Sequence, residues 1–373
     1  MKPPQDKHTG SHTLTQITNE QVIEQLRTVQ DPELHKDLVT LGMIKEVVID
    51  GGVVRVHVEL TTPACPLKDK IKTDVTAAVK QLPAVERVEL EWSAQVRSSR
   101  SGGQTLPGVK NVVAVGAGKG GVGKSTAAVL LAYGLHRSGA KVGLMDADVY
   151  GPSLPTMTGV EGAKPEVRGE MIVPPDAGGV KIMSIGFMVD RNKALIWRGP
   201  MTHGVVKQFL EQVDWGELDY LIVDLPPGTG DVPLSLAQSI PTTGAVVICT
   251  PQDIALLDAR RAVRMYEQLN VPCLGIIENI SYYLCPKCGH RDELFDHGGA
   301  SAEAEALGVP FLGELPLNAK VRMFGDSGVP EKLFTDTDDY VRAAIDKVVA
   351  NTAGQISVRS QLQVLAPTLS VEE

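Results

Sequence analysis

The 373-residue sequence lacks any run of about 18 apolar residues, and its first residues, MKPPQDKHTGSHTLT, contain no apolar segment. We therefore expect neither a membrane-spanning helix nor secretion. Runs rich in lysine and arginine are absent too, and the formal net charge is -9. Because binding to nucleic acid or to anionic membrane needs clustered positive charge, we expect neither as a partner. These absences predict a cytoplasmic protein.

Cysteine is scarce. Five cysteines, an odd number without a secretory segment, indicate reduced thiols rather than a disulfide framework. Cys285 and Cys288 form a Cys-x-x-Cys pair in the stretch NISYYLCPKCGHRDELF, and the sequence has no second such pair. Cys249 and Cys273 lie in apolar runs and are predicted to be core residues. Cys65 stands just before a predicted helix, so a reactive thiol that binds metal transiently and a small packed residue are both open for it.

Periodicity divides the chain into two folded parts. From residue 14 to 95, a helix with a capping box at Thr18 and Gln21, a hairpin around Gly51 and Gly52, a second helix and a third strand predict a small α+β domain. Residues 96–108 lose all periodicity and fill with Ser, Gly, Arg and Gln, so we predict a flexible linker.

Residues 109–352 have a different pattern. Six short apolar runs without polar alternation are separated by helical patterns; the runs are NVVAVGA, KVGLMDA, DYLIVDL, GAVVICT, CLGIIEN and FLGEL. Strands buried on both faces have this character, so we predict an α/β domain with a doubly wound, mostly parallel sheet. An irregular insertion with a hairpin separates the second run from the third. After the last helical pattern, TDDYVRAAIDKVVANT, residues 353–373 are expected to form a loosely held tail.

A phosphate-binding loop directly follows the first apolar run. The stretch GAGKGGVGKST satisfies the pattern G-x-x-x-x-G-K-[ST]. Its glycines let backbone N–H groups face phosphate oxygens, its lysine neutralises their charge, and its serine can bind Mg²⁺ at a helix N-terminus. We therefore predict a P-loop NTPase. The predicted nucleotide-binding residues of the loop are Gly118, Lys119, Gly120, Gly121, Val122, Gly123, Lys124, Ser125 and Thr126.

Aspartates follow the second and third predicted strands. Asp146 and Asp148 come after the second and Asp224 after the third, at the sheet edge where α/β proteins place ligand-binding groups. We predict that Asp224 acts on Mg²⁺, that Asp148 orients the attacking water, and that Asp146 supports the metal ion together with Ser125. For Asp146 alone, a role as a helix cap or turn former is equally open. The guanine-reading pattern N-K-x-D is absent, because NKAL at Asn192 lacks the aspartate, so ATP is the expected nucleotide.

The second lysine of the loop, Lys119, makes KGGVGKS resemble the deviant Walker A motif of the nitrogenase iron protein and MinD/ParA class. This resemblance implies that Lys119 reaches the nucleotide of a partner chain and that the protein is a homodimer. It also implies that adenine is held at the positions of Asn279 and Pro316. The residues predicted to be catalytic are Lys119, Lys124, Asp148 and Asp224.

Three interpretations of the cysteine pair are open on chemical grounds. Cys285 and Cys288 could close a tetrahedral zinc site within one chain, together with His290, His297 or Cys273. They could form a redox dithiol, although the residues that follow do not begin an amphipathic helix. In a two-fold dimer, each chain would contribute two thiolates, and four sulfurs suffice for a bridging [4Fe-4S] cluster.

The stretches DADVYGPS, WRGPM, DLPPGTGD and ENISYYLCPKCGH together resemble the Mrp/ApbC-type iron–sulfur cluster carrier ATPases, from about Val109 to Gly328. The N-terminal part, with DPELHKDLVTLGMI and TTPACP, resembles the MIP18-like domain that precedes this ATPase in many members. The resemblance implies an ATP hydrolase that uses ATP and Mg²⁺, holds a labile [4Fe-4S] cluster on Cys285 and Cys288 at a dimer interface, and passes it to recipient apoproteins.

The rival hypothesis is a positioning switch of the ParA/MinD type with a structural zinc ion at the cysteine pair. It predicts a surface that binds membrane or DNA. The last predicted helix is acidic at its start and lacks a basic face, which disfavours membrane anchoring.

Overall fold

The computed structural model describes residues 17–98, 106–148, 150–188 and 199–365. The chain divides into two compact units, one of residues 1–61 with 67–95 and one of residues 62–66 with 96–373. Residues 99–105 of the predicted linker, Trp197 and Arg198 of the WRGPM stretch, and residues 366–373 of the predicted tail lie outside the described residues.

The smaller unit has the predicted order of helix, hairpin, helix and strand. Thr18 and Gln21 form the predicted capping box, and the hairpin turns at Gly51, whose φ is +59°. The hairpin strands β3 and β4 are antiparallel, and β5 lies parallel to β4. The elements are α1 (Asn19–Leu26), β1 (Gln30–Asp31), β2 (Lys36–Asp37), β3 (Ile44–Asp50), β4 (Val53–Leu60), α2 (Lys68–Val79) and β5 (Arg87–Ala94).

The larger unit alternates strands and helices. Its strands are β6 (Val109–Gly116), β7 (Val142–Asp146), β8 (Glu166–Arg168), β9 (Met171–Val173), β10 (Asp176–Ala177), β11 (Val180–Ser184), β12 (Leu218–Asp224), β13 (Gly244–Cys249), β14 (Cys273–Leu284), β15 (Arg291–Asp292) and β16 (Phe311–Leu317). Its helices are α3 (Lys124–Arg137), α4 (Leu154–Met157), α5 (Gly199–Glu211), α6 (Asp231–Ser239), α7 (Asp253–Gln268), α8 (Gly299–Leu307), α9 (Ala319–Ser327), α10 (Lys332–Thr335) and α11 (Asp339–Leu365).

The main sheet of this unit is mostly parallel. Its parallel strands lie in the order β11-β7-β12-β6-β13-β14-β16, and β10 and β15 add short antiparallel pairs to β11 and β14. The six predicted apolar runs form β6, β7, β12, β13, β14 and β16, which confirms the predicted α/β architecture. Within the described ranges, no helix is both long and apolar enough to cross a membrane.

Hydrophobic cores lie on both faces of this sheet. Along β6, Val113 and Val115 belong to one core, whereas Val112 and Ala114 belong to the other. Successive residues of a strand point to opposite faces, so both faces of β6 are covered. Residues of α3 and α11 contribute to the first core, and residues of α5 and α7 contribute to the second. This covering explains why the strand sequences show no polar alternation.

The described part of the insertion between β7 and β12 contains more regular structure than the sequence predicted. It contains the expected hairpin, β8 with β9, but also the strand β11, which lies parallel to β7 at the edge of the main sheet. Val180, Ile182 and Met183 of this strand are buried. The prediction missed β11 because the run is short and Lys181 interrupts its apolar character.

The last helix also differs from its prediction. We expected it to end at Thr352, but α11 continues to Leu365, and Ala353, Ile356 and Ser360 are buried. The tail prediction is therefore wrong for residues 353–365. Packing of the apolar residues of this stretch stabilises the additional turns, because most helical stability in proteins comes from tertiary contacts.

Candidate nucleotide-binding and metal-binding sites

The loop between β6 and α3 follows the central strand of the parallel sheet. Gly121 and Gly123 have φ values of +81° and +84°, which glycine adopts without strain. A Cβ atom on Gly118 would lie 2.1 Å from the carbonyl oxygen of Asp258 in α7. Because Lys124 begins α3, the free N–H groups at the start of that helix border the loop. The loop therefore has the backbone geometry that phosphate binding requires.

Predicted polar residues cluster beside this loop. The Lys124 Nζ atom lies 2.6 Å from Asp224 Oδ1 and 3.7 Å from Asp148 Oδ2. The Ser125 hydroxyl donates a hydrogen bond of 2.6 Å to the other Asp224 oxygen. Lys124 is only 6% exposed and Asp224 is fully buried. A lysine, a hydroxyl and two carboxylates in this arrangement are the groups that bind and activate a magnesium–nucleotide complex.

Asp146, at the end of β7, makes different contacts. One of its oxygens accepts hydrogen bonds from the Ser153 N–H at 3.1 Å, the Leu154 N–H at 3.3 Å and the Ser184 hydroxyl at 3.0 Å. Its other oxygen accepts from the Asp148 N–H at 3.2 Å. Because Leu154 begins α4, these are the contacts of a capping residue rather than of a metal ligand. The geometry favours the alternative that the sequence left open for Asp146.

The site carries more negative than positive charge. Asp146 and Asp224 are neighbours across β7 and β12. Burial, together with the charge of Asp224, raises the pKa of Asp146 to about 7. Burial also raises the pKa of Asp224, although the charge of Lys124 and its hydrogen bonds to Lys124 and Ser125 oppose that shift. A divalent cation would reduce this excess of negative charge, so the residues fit Mg²⁺.

A cleft of about 580 Å³ lies beside the loop. Asn279 and Pro316, which were predicted to hold adenine, both line it together with residues of the loop. The Asn279 side-chain amide donates a hydrogen bond of 2.8 Å to the Val122 carbonyl oxygen. The structure thus brings the predicted base-binding residues next to the predicted phosphate-binding residues. Apolar parts of the wall come from Met157, Ile280, Leu317 and Val321.

Ile280 is a feature of the cleft that the sequence did not predict. Its φ is +57°, in the left-handed region, which costs a residue with a Cβ atom roughly 1–2 kcal/mol. The pairing of β14 with β16 shifts register here, between Asn279 and Tyr283. No sequence signal could have shown this, because isoleucine favours regular strands.

Lys119, the second lysine of the loop, is half-buried. Within the ranges that the structure describes, it forms no hydrogen bond or ion pair. Its predicted role toward a partner chain stays a prediction.

The cysteine pair lies at the tip of the short hairpin formed by β14 and β15. Leu284 pairs with Arg291 across the hairpin, and the Cys285 N–H donates a hydrogen bond of 2.9 Å to the His290 carbonyl oxygen. Cys285 is half-buried and Cys288 is exposed, and both are free thiols. No helix begins at the pair, which disfavours a redox dithiol of the thioredoxin type.

The backbone of the hairpin tip favours a thiolate. The N–H groups of Lys287 and Cys288 donate hydrogen bonds to the Cys285 sulfur and, with a hydrogen bond from the Cys288 thiol, lower the pKa of Cys285. Gly289, with a φ of +70°, then turns the chain back toward β15. Thiolates are the form in which cysteine binds metal, so this tip is prepared for metal binding.

A complete single-chain zinc site does not form around the pair. Among the described residues, three side chains lie close enough to share one metal ion at Glu278, His297 and Glu314, and the cysteines are not in this group. His297 instead faces Glu314, with 3.7 Å between its Nε2 atom and Oε1. Neither His290 nor Cys273 joins the pair in a group of that kind. The structure therefore does not support the single-chain interpretation.

Arg291 accompanies this acidic group. Its guanidinium group lies 3.3 Å from the His297 Nδ1 atom, 3.5 Å from a Glu314 oxygen and 3.4 Å from a Glu293 oxygen. The positive charge of Arg291 already pairs with Glu314 of this group, so we assign no metal ion to the group.

Cys249 and Cys273 are free thiols without a further assigned ligand role. Burial raises the pKa of the Cys249 thiol in β13. Burial likewise raises the pKa of Cys273 to about 11. Both pack against the core, as predicted. Cys65 is half-buried.

A glycine-rich loop after the central strand of a parallel sheet, with carboxylates at the ends of neighbouring strands, defines a P-loop NTPase. Residues 108–353 match the family model described as NUBPL iron-transfer P-loop NTPase. Residues 19–90 match the model described as iron-sulfur cluster assembly protein. The chain belongs to the family of NUBPL iron-transfer P-loop NTPases.

Named relatives resemble the chain over nearly its whole length. An iron-sulfur cluster carrier protein of Deinococcus radiodurans is 49% identical over 343 residues, which cover 92% of this chain and 97% of the relative. One of Synechocystis sp. is 47% identical and covers 92% of this chain and 99% of the relative. The solved structure of a nucleotide-binding protein from Archaeoglobus fulgidus in complex with ADP is 39% identical, with a TM-score of 0.57, over 64% of this chain and 93% of that chain. These findings confirm the resemblance to cluster carriers and do not favour the positioning-switch hypothesis.

Proposed function

We propose that the protein is an ATP-dependent carrier that binds a labile [4Fe-4S] cluster between two copies of the chain and transfers it to recipient apoproteins. The observation that carries this proposal is the exposed hairpin with its two thiols, Cys285 and Cys288, which no third ligand from the described part of the chain joins in a shared group. Two such hairpins would supply four thiolates. A cluster held only by thiolates at the tip of an exposed hairpin can leave as well as bind. The names of the relatives support the same cargo.

Binding and hydrolysis of ATP at the nucleotide loop would regulate cluster binding. Lys124 and the loop backbone would bind the phosphates, and Ser125 and Asp224 would hold Mg²⁺. The metal ion would neutralise the negative charge that develops on the phosphate oxygens during hydrolysis. Asp148, whose carboxylate lies close to Lys124 beside the loop, would orient the attacking water. Asn279 and Pro316 line the cleft beside the loop and would hold adenine. Asp146 would position α4 and the Asp148 backbone rather than bind the metal ion.

Lys119 supports the assignment of a homodimer. A half-buried lysine beside a polyphosphate, with no ion-pair partner in the described part of its own chain, is available to the nucleotide of a second copy. Nucleotide binding would then stabilise one dimer geometry and hydrolysis would release it, which shifts the population of cluster-binding dimers. The reduced thiols suit a cytoplasmic location, and the net charge of -9 suits a protein without membrane or nucleic acid partners.

Transfer of the cluster tests the function directly. Anaerobically reconstituted protein should activate an apo-enzyme that requires a [4Fe-4S] cluster, even when an iron chelator is present in the buffer. Cys285→Ser and Cys288→Ser should each abolish transfer, whereas Cys273→Ser, a matched change away from the hairpin, should retain it. Activation that the chelator prevents, or that survives both hairpin substitutions, would refute the carrier function.

The dimer is tested separately. With a non-hydrolysable ATP analogue, analytical ultracentrifugation should show a dimer of the wild type and a monomer of Lys119→Ala. Affinity of the Lys119→Ala chain for the analogue should stay within about tenfold, because Lys124 still binds the phosphates. A Lys119→Ala variant that dimerises as the wild type does would contradict the proposed role.

A further inference from the structure

Strand β14 carries residues of the nucleotide cleft and leads directly to the cysteine hairpin. Asn279 and Ile280 line the nucleotide cleft, and Leu284, the last residue of the strand, directly precedes Cys285. The strand is irregular between these points, because Ile280 has a left-handed backbone and the pairing with β16 shifts register. A conformational change at the cleft could therefore reach the cysteine hairpin through a few residues of irregular backbone.

A second part of the cleft wall reaches the same hairpin through side chains. Asn318 lines the cleft, and its amide donates a hydrogen bond of 2.8 Å to the Tyr340 hydroxyl. The ring of Tyr340 lies 6.5 Å from the ring of Tyr282, centre to centre. Tyr282 belongs to β14, so its ring continues the contact from the cleft wall to the strand that leads to Cys285.

Arg291 links this aromatic pair to the hairpin. Its guanidinium carbon lies 3.9 Å from the centre of the Tyr282 ring, a close cation–π contact. Ion pairs of 3.4 Å and 3.5 Å join it to Glu293 and Glu314, the latter in β16. Arg291 is also the strand residue that pairs with Leu284, directly before Cys285. One side chain thus joins β14, β15 and β16.

The hairpin has few other supports. Strand β15 contains only the residues Arg291–Asp292, and ladders this short are marginal without additional contacts. The tip beyond it is exposed. The position of the two thiols relative to β14 therefore depends strongly on the side-chain contacts of Arg291.

We propose that Arg291 is a positioning residue that fixes the cysteine hairpin against Tyr282 and β16, and thereby makes retention of the cluster depend on the nucleotide in the cleft. This inference rests on the proposed carrier function and specifies how the bound nucleotide regulates it. Arg291 is not proposed to contact the cluster or the nucleotide. It acts through the position of Cys285 and Cys288.

The test compares rates of iron release. Full-length reconstituted protein is mixed with an iron chelator in the presence of ADP and, separately, of a non-hydrolysable ATP analogue. We expect the two release rates of the wild type to differ by about fivefold or more, the lower end of typical coupling between sites. In Arg291→Gln the ratio should fall to about one, while affinity of the metal-free chain for either nucleotide changes by less than about twofold. Arg291→Lys, which keeps a cation for the Tyr282 ring, should retain part of the ratio.

Two further variants separate positioning from general damage. Tyr282→Leu removes the ring beneath the guanidinium group. Like Arg291→Gln, it should lower the ratio of the two iron-release rates to about one. Arg264→Gln, which removes an exposed ion pair of 2.6 Å with Glu267 in α7, should leave the ratio unchanged. A wild-type ratio of one, a ratio that survives Arg291→Gln, or an equal loss in Arg264→Gln would overturn the proposal. A wild type that takes up no iron and sulfide would instead refute the carrier function on which the proposal rests.

Discussion

The nucleotide loop and the cysteine hairpin are held in opposite ways. The loop joins the central strand β6 to α3, and its lysine, Lys124, is almost completely buried in an ion pair with Asp224. The hairpin extends from the end of strand β14, pairs over only a few residues and exposes Cys288. Rigid packing suits a site that must distinguish phosphate states. Sparse packing suits a site that must release its cargo.

This difference also separates the kinds of damage that substitutions should cause. At Gly118 of the loop, neighbouring atoms leave no space for a methyl group, so even a small change there should affect both nucleotide binding and stability. At the hairpin, a change should affect metal binding while the fold remains intact.

The largest effect is expected for Lys124→Ala. Each charge-assisted hydrogen bond to the phosphates is worth about 1.5–3 kcal/mol, so loss of about two of them should lower the affinity for ATP by at least about 100-fold. Isothermal titration calorimetry measures it, with circular dichroism to verify the fold because Asp224 loses its buried partner. Lys110→Ala is the matched control, since Lys110 forms a 2.8 Å ion pair with Asp219 outside the site. Unchanged ATP binding by Lys124→Ala would contradict the nucleotide-site assignment.

A smaller effect, on the free energy of unfolding, is expected when either of two glycines is replaced by alanine, and the cause of the strain differs between them. In Gly118→Ala, the new methyl group would lie 2.1 Å from the Asp258 carbonyl oxygen, so the free energy of unfolding should fall by about 3 kcal/mol. In Gly289→Ala, only the left-handed φ of +70° opposes the change, because no atom lies within 4 Å, and the loss should be about 1 kcal/mol.

Urea unfolding of the metal-free, nucleotide-free chain measures both variants. Gly120→Ala serves as a control, because its nearest contact would be 3.9 Å away, and its stability should stay within about 0.5 kcal/mol of the wild type. Equal losses for Gly118→Ala and Gly289→Ala would remove the distinction between a packed loop and an open hairpin.

The smallest effect concerns the pH dependence of Cys285. Hydrogen bonds from the hairpin backbone lower the pKa of its thiol, so the folded chain should carry a thiolate at lower pH than the unfolded chain does. The stabilisation that this thiolate gives is present above the pKa of the unfolded state and is lost as the pH falls through that of the folded state. Alkylation of the Cys285 peptide by iodoacetamide, followed by mass spectrometry, should have a midpoint below the usual value of about 8.5. In urea the midpoint should return to that value, and an equal or higher midpoint in the folded chain would refute the thiolate assignment.

The sequence predicted what repeats locally and missed what depends on distant contacts. Apolar runs without alternation identified the six strands of the main sheet, and the spacing of glycine, lysine and serine identified the phosphate loop. The strand β11 was missed because its run is short and Lys181 interrupts its apolar character, so only its pairing with β7 identifies it as a strand. The end of α11 was misplaced because packing of Ala353 and Ile356, rather than propensity, extends the helix.

Single-residue roles were predictable to different degrees. Asp224 and Asp148 lie beside Lys124, as the order of the strands required. The capping contacts of Asp146 depend on where α4 begins and on Ser184 of β11, which the sequence did not place. The contacts of Arg291 combine three strands, so no local pattern could indicate them.

Native mass spectrometry of the anaerobically reconstituted protein tests the central claim most directly. The account predicts a species of two chains with one four-iron, four-sulfide cluster. Both Cys285→Ser and Cys288→Ser should remove that species and leave the chains folded. A single chain with stoichiometric zinc, or iron binding that neither substitution changes, would contradict a cluster shared between two hairpins.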